Sequence, residues 1–296
     1  MDRLEAMSAL LAAVEAGSLS GASRKLGMPL ATVSRKVSEL EAHLRTRLVN
    51  RTSRRLVLTE AGRSYVAACK RILEDITEAE RAAAGEYSVP KGELIITAPI
   101  VFGRLHVLPI VLEFLKAYPE IDVRFTLADR VINLLEDHVD LAVRIGELPD
   151  SSLAARRVGS IGRVVCGSPS YFAKHGMPRT PGELSKQDCI TFNGLTSPED
   201  LIFPSGKRNI SVSVHSRLIV NTAEAAIDAA IAGIAITRVL SYQVADAVRT
   251  GSLVLILRDF EPPAAPVSLV YPNQGLLPLK LRAFLDFVVP RLKTRL

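Results

Sequence analysis

The sequence predicts a multidomain α/β chain: an N-terminal winged helix-turn-helix, one long linker helix, and a C-terminal α/β domain built as two lobes. Three observations carry this prediction. Between Ser18 and Gly62 two short helical patterns meet at a glycine, and a basic two-stranded segment comes after them. From Thr59 to about Gly85 an apolar stripe runs without a proline. Beyond Pro90, strand-length apolar runs alternate with helical ones, the pattern of successive βαβ units.

Residues 2–16 read as an amphipathic helix with Leu4, Met7, Leu11 and Val14 on one side and Gly17 at its end, a support for the helix-turn-helix. Leu19, Ala22 and Leu26 recur at helical spacing, and Gly27 can end that helix at positive φ. Pro29 suits the first position of the next helix. Leu30, Val33, Val37, Leu40 and Leu44 then form a buried stripe, leaving Ala31, Thr32, Ser34, Arg35 and Lys36 outward. A second helix with small, hydroxylic and basic groups at its start can sink into a major groove, with Arg35 within reach of a base edge or phosphate. Leu48–Arg51, a Thr52-Ser53 turn and Arg54–Leu58 read as a wing. From Gly21 to Arg63 ten Lys and Arg face three Glu, the electrostatic footprint of a phosphate-binding surface.

Thr59 is an N-cap candidate with Glu60 at the positive end of the next helix. Tyr65, Cys69, Ile72, Ile76, Ala79 and Ala83 alternate in steps of four and three, a coiled-coil seam on a rod of roughly 40 Å. Two partners suit such a stripe: a second copy of the chain, or the chain's own core. Cys69 on the seam reads as a packed thiol or a redox switch. Residues 87–92 are a linker by composition.

The C-terminal half reads as strand Glu93–Thr97, helix Gly103–Ala117 despite Pro109, strand Ile121–Leu127, helix Val131–Asp137 and strand Leu141–Arg144, with a largely parallel sheet. A second unit begins at Arg163–Gly167, with helix Ser170–His175 and strands Cys189–Phe192, Ile210–Val214 and Leu218–Val220. Asn221 caps helix Thr222–Ala232, Gly233 ends it, and strand Ile234–Thr237 comes next. Val267–Tyr271 and Leu279–Leu292 fit best by returning to the first unit. Ligands of open α/β folds sit beyond the carboxyl ends of strands and against helix N-termini. Thr97, Ala98, Pro99, Ile100, Asp129, Ile145, Gly146, Asn221, Thr222, Thr237 and Arg238 are the candidates for such a site. Thr97 and Asn221 read equally as caps, Arg238 as a solvated charge, and Arg144 as half of a structural ion pair.

The run from Gly17 to Gly62 resembles the winged helix-turn-helix of the LysR-type transcriptional regulators. Val33-Ser34-Arg35, Leu40-Glu41, Arg51 and Leu58-Thr59-Glu60-Ala61-Gly62 match that family's pattern, whereas Pro29-Leu30-Ala31 replaces its Ser-Gln-Pro opening, so no operator base is carried over. Asp140–Gly146, Asp150–Leu153 and Ser168–Phe172 match a common subgroup of the same family. The resemblance implies a periplasmic-binding-protein-like effector domain with its ligand between the lobes, a linker helix that pairs subunits, and Ser18, Ser20, Leu30, Ala31, Thr32, Ser34, Arg35, Lys36, Arg51, Arg54 and Arg55 at the DNA. The expected domains are 1–58, 59–89 and 90–296, the last split into lobe I (90–161 and 267–296) and lobe II (162–266). The expected partners are double-stranded promoter DNA, a second copy (dimer, with tetramer left open) and a small-molecule co-inducer, with no cofactor, metal or membrane.

A net charge of +6 over 296 residues fits a nucleic-acid partner. Three cysteines without a C-x-x-C pair suggest a reducing cytoplasm, and Met1–Gly17 carries charges where a signal peptide needs an apolar core. No P-loop, G-x-S-x-G, H-E-x-x-H or G-x-G-x-x-G is present. In Asp137-His138-Val139-Asp140 neighbouring side chains point apart, which favours a structural role over a metal site. The rival classes are a solute-binding protein and a small-molecule enzyme using the C-terminal half.

Overall fold

The computed structural model describes all residues except 52–55, 84–88, 131, 135–136, 193–199, 206–207 and 274–276. The chain divides into two units, Met1–Val89 and Pro90–Leu296.

In the first unit, α1 (Arg3–Glu15) starts at Asp2, whose carboxylate accepts the N–H groups of Leu4 and Glu5. Its contact face is not the expected leucine-rich one: Ala6, Ala9, Leu10 and Ala13 are buried, while Leu4 is 42% exposed. Small alanines let α1 lie close against its neighbours, so size rather than hydropathy selects the face. Helix α2 (Leu19–Leu26) ends at Gly27, φ 64°, where the Met28 N–H reaches the Ser23 carbonyl at 3.1 Å. Helix α3 (Leu30–Leu44) buries Val33, Val37 and Leu40 completely. Leu30 is 47% exposed and so leaves the expected stripe, and Pro29 takes the cap position instead of the first helical one. Strands β1 (Val49–Arg51) and β2 (Leu56–Leu58) pair antiparallel, and the expected turn Thr52-Ser53 with Arg54 and Arg55 lies outside the described residues. In α4 (Glu60–Ala83), Thr59 Oγ1 accepts the Gly62 N–H and donates to the Arg47 carbonyl. A Cβ on Gly62 would stand 2.0 Å from the Leu48 oxygen, so only glycine admits this wing–helix junction. Tyr65 and Val66 pack on the core of this unit and Cys69 is fully buried. The start of the expected seam is therefore occupied within the chain, while Ile72 remains 42% exposed.

The second unit holds two five-stranded sheets. The first comprises β3 (Gly92–Ala98), β4 (Ile121–Leu127), β5 (Leu141–Ile145) and β6 (Leu153–Ile161); the second contains β7 (Arg163–Gly167), β8 (Asp188–Phe192) and β11 (His215–Val220). A hairpin of β9 (Asp200–Ser205) and β10 (Arg208–Ser213) stands beside the second sheet, which β12 (Ile236–Leu240) and β13 (Val254–Ile256) complete. Strand β14 (Ala265–Pro272) returns to the first sheet, giving the orders β4-β3-β5-β14-β6 and β11-β8-β12-β7-β13. Each sheet has two parallel and two antiparallel junctions, so the expected largely parallel sheet is a mixed one.

Between the strands run α5 (Ile100–Phe102), a π-helical segment (Gly103–Val107), α6 (Leu108–Ala117), α7 (Pro169–His175), α8 (Ala223–Ile231), α9 (Ala245–Arg249) and α10 (Leu279–Arg295). The first lobe packs Leu94, Ile96, Leu141 and Val143 against α6 and α10, where Phe114 and Phe284 meet edge to face at 4.9 Å. The expected helix Val131–Asp137 is a turn over its described residues: Asp137 N–H bonds the Asn133 carbonyl, Val139 N–H bonds that of Leu134, and His138 closes it at φ 55°. Helix α8 is capped by Thr222, one residue later than the expected Asn221, and β12 begins two residues beyond the expected Ile234.

Candidate functional site

The first candidate surface is the solvent face of α3. Ala31 is exposed beside Leu30, Thr32 and Ser34 are half-buried, and the Arg35 side chain is 64% exposed. Arg35 reaches Glu39 one turn on at 2.8 Å, an exposed pair worth a few tenths of a kcal/mol at most. No side chain caps the start of α3; the Thr32 and Val33 N–H groups turn to the Pro29 carbonyl, which leaves those of Leu30 and Ala31 for an anion in solution. Ser20 is exposed, whereas Ser18 Oγ accepts the Gly21 N–H at 3.0 Å and caps α2. Lys36 departs from expectation. Its side chain is only 13% exposed and forms an ion pair with Glu5 of α1, a long-range partner that a helical stripe cannot reveal. Arg51 is the last residue of β1, while Arg54 and Arg55 fall outside the described residues. Glu41, to which sequence reasoning assigns no role, ties the wing to α3: its Oε1 accepts the N–H groups of Leu48 and Val49 at 2.8 and 3.0 Å. No local signal marks that role, because donor and acceptor meet only in the fold.

The second candidate site lies in the C-terminal unit. Parallel strands β3, β4 and β5 bring Thr97-Ala98-Pro99, Asp129 and Ile145-Gly146 to one end of the first sheet. Thr97 is fully buried and its Oγ1 has no hydrogen-bond partner among the described residues; Ala98 is buried in the lobe core. Just after Pro99, the Ile100 N–H donates to Asp129 Oδ1 at 3.0 Å, so this carboxylate already fills one of the N–H positions expected to face a ligand. Ile145 is half-buried, and Gly146, at φ 121°, donates its N–H to the Pro266 carbonyl. In the second lobe Asn221 is exposed, and Thr222 Oγ1 accepts the Ala225 N–H. Thr237 is buried and donates to the Ile190 carbonyl at 3.1 Å, which commits its hydroxyl to the sheet. Arg238 is not a solvated charge: it is half-buried, with its guanidinium 4.7 Å from the Phe203 ring centroid. Arg144 makes no structural ion pair among the described residues and donates instead to the Ile132 carbonyl at 2.7 Å.

Residues that the sequence does not single out join the two lobes beside these positions. Arg104 in the π-helical segment pairs with Glu224 at the start of α8 at 2.7 Å. Tyr242 meets Phe102 edge to face at 5.6 Å and His106 at 5.3 Å. Burial, and next to it the Asp129 carboxylate, hold the Tyr242 hydroxyl well above its ordinary range. Burial, with Arg295 adding to it, pulls the His106 imidazole below its usual value, and its Nε2 is buried without a partner among the described residues. These contacts bring the segment that follows β3 against the start of α8 and against Tyr242. Among the described residues no group of three or more His, Cys, Asp or Glu is arranged to hold a metal ion, and no helix is long and apolar enough to cross a membrane.

Comparison with known proteins agrees on both units. A bacterial regulatory helix-turn-helix family of the lysR type matches residues 4–63, and a LysR substrate binding domain family matches residues 88–293. The chain is 36% identical to an HTH-type transcriptional repressor of Pseudomonas aeruginosa, over 98% of this chain and 92% of the relative. It is 30% identical to the HTH-type transcriptional activator AaeR of Escherichia coli, over 97% and 93%. Among solved structures, CrgA, a LysR-type transcriptional regulator from Neisseria meningitidis, is similar with a TM-score of 0.62 at 31% identity, covering 97% of this chain and 98% of that one.

Proposed function

The chain belongs to the LysR family of bacterial transcription regulators, and from that premise we propose how its two units divide the work. The N-terminal unit binds promoter DNA with the face of α3. Leu30, Ala31 and Thr32 enter the major groove, Arg35 reaches a base edge or phosphate, and the basic wing around Arg51, Arg54 and Arg55 tracks the phosphate backbone. The observation that carries this reading is the start of α3: small exposed side chains, uncapped N–H groups and a mostly exposed guanidinium on one surface. Lys36 is left out of the contact set because Glu5 holds it. Residues 1–58 form the DNA-binding domain, 59–89 the linker helix through which two copies pair, and 90–296 the effector domain with lobes 90–161 plus 267–296 and 162–266.

A small-molecule effector binds between the lobes, among Thr97–Ile100, Asp129, Gly146 and Thr222. It acts by favouring one arrangement of the lobes over another, since a ligand shifts an equilibrium only by its difference in affinity for the two states. Phe102, Arg104, Glu224 and Tyr242, which join the lobes, are the contacts that such a shift would rearrange. The protein works in the cytoplasm as a homo-oligomer. A titration of the full chain with its own upstream DNA, beside scrambled DNA of equal length, tests the reading over a salt series. Tight binding to the upstream DNA, with a log–log salt slope reporting several phosphate contacts, is expected. Equal weak binding to both DNAs would reduce the first unit to a basic surface.

A further inference from the structure

We propose that Arg163 and Arg238 form an oxyanion subsite in the second lobe, which takes the carboxylate or phosphate group of a small molecule. The inference rests on the effector reading and names the chemistry that the effector presents.

The register of the second sheet brings the two arginines together. Arg238 in β12 stands opposite Val165 in β7, and Arg163 lies two residues earlier on β7. Alternation along a strand puts both side chains on the same face, as diagonal neighbours within reach of one small ligand. Phe203 covers Arg238 from the β9–β10 hairpin, and Val165 with Ile256 lines the same face; all three are buried. Arg238 Nε is buried with no hydrogen-bond partner among the described residues, and neither guanidinium meets an acid there. The cost is visible in both groups. Burial, then the neighbouring Arg163 charge, pulls Arg238 down to about 10, and burial also lowers Arg163.

Two other cations of this unit that lie largely out of water have partners. Lys280 donates to the Glu93 carbonyl at 2.6 Å with the Asp140 carboxylate 4.0 Å away, and Arg144 holds the Ile132 carbonyl. Two adjacent like charges without an acid are unfavourable where both are half-buried, and a shared oxyanion offsets both at once. Planar guanidinium groups suit that task, since each can give paired N–H donors to the two oxygens of a carboxylate or phosphate.

The test uses the full chain and three probes at constant ionic strength: succinate, inorganic phosphate and the neutral succinamide. Binding is read by titration calorimetry and by thermal unfolding, for the wild type, Arg163→Gln and Arg238→Gln. Succinate or phosphate should bind and raise Tm, succinamide should not, and each variant should weaken the binding by about tenfold or more. The responding anion tells carboxylate from phosphate. Without ligand, Arg238→Gln should melt no lower than the wild type, because a half-buried charge with no acid beside it has been removed; a merely structural arginine would give a clear fall. Absence of binding by either anion, or a response that survives in both variants, would overturn the subsite, the second result assigning the anion to the basic N-terminal unit. Upstream-DNA affinity measured in parallel separates the two readings. An anion that binds at the arginines yet leaves DNA affinity unchanged keeps the subsite and removes its effector role. A neutral compound that shifts DNA affinity while both variants respond like the wild type keeps the effector reading and overturns the subsite.

Discussion

In the first lobe the antiparallel strand β14 lies between β5 and β6; in the second, β7 lies between β12 and β13. Each lobe thus takes its fourth strand from a point where the chain passes between lobes, and each keeps three parallel strands on the far side of it. The lobes differ in their buried charge. The first surrounds Lys280 with a carbonyl and a carboxylate, while the second leaves Arg163 beside Arg238, whose guanidinium lies beneath the Phe203 ring. With the strand arrangement held constant, the difference points to a job done by the second lobe rather than to a demand of the fold.

Core truncations offer the largest effect with which to break that contrast. Phe284→Ala in the first lobe removes a fully buried ring packed on Phe114 and should cost about 3–5 kcal/mol in chemical unfolding of the C-terminal unit. Phe203→Ala in the second lobe should fall short of that by about 1–2 kcal/mol, because water returns to the Arg238 guanidinium when the ring is gone. Equal losses would mean that Arg238 is under no desolvation burden. Next in size is Lys280→Met, which leaves the Glu93 carbonyl without its donor and Asp140 without its neighbouring cation; a loss of about 1–3 kcal/mol is expected by the same assay.

A smaller effect comes from the aromatic contact between the lobes. The His106 value is depressed in the folded protein, so the unfolded chain binds the extra proton first as pH falls. The stability contributed by neutral His106 is therefore complete above its ordinary value near 6.5 and is lost progressively as pH drops through that value toward the depressed one. Melting temperatures of the wild type should decline over that window more steeply than those of His106→Phe, which keeps the ring against Phe102 and Tyr242. Parallel curves for the two proteins would remove His106 from the account.

What can be read from the sequence depends on how local its cause is. Gly27, with its positive φ, and the spacing of Val33, Val37 and Leu40 are settled within a few residues, and these features stand in the structure as expected. Lys36 departs from its expected place because its partner Glu5 lies on another helix. Strand β6 leaves no mark in the pattern because it is an edge strand: Ala155, Arg156 and Arg157 are exposed, and only Val158 and Ile161 are buried, so no alternation appears. The candidate cleft is legible as strand ends, since Thr97 and Asp129 follow from the βα pattern. Its aromatic bridge is not, because Phe102 and Tyr242 meet only once the chain has folded the two lobes against each other. Arg238 is expected at the end of a strand, but β12 continues to Leu240, which moves the residue into the sheet and under Phe203.

The most direct test of the regulator itself is the preference of the chain for its upstream DNA over scrambled DNA at physiological salt, measured for the wild type and Arg35→Ala. Arg35 is mostly exposed and pairs with Glu39 on the same helix, so the substitution should change stability by about 0.5 kcal/mol or less. The account predicts a wild-type preference of about a thousandfold or more, reduced by about tenfold or more in Arg35→Ala with the fold intact. A wild type that binds both DNAs equally, or a variant that keeps the full preference, would contradict it.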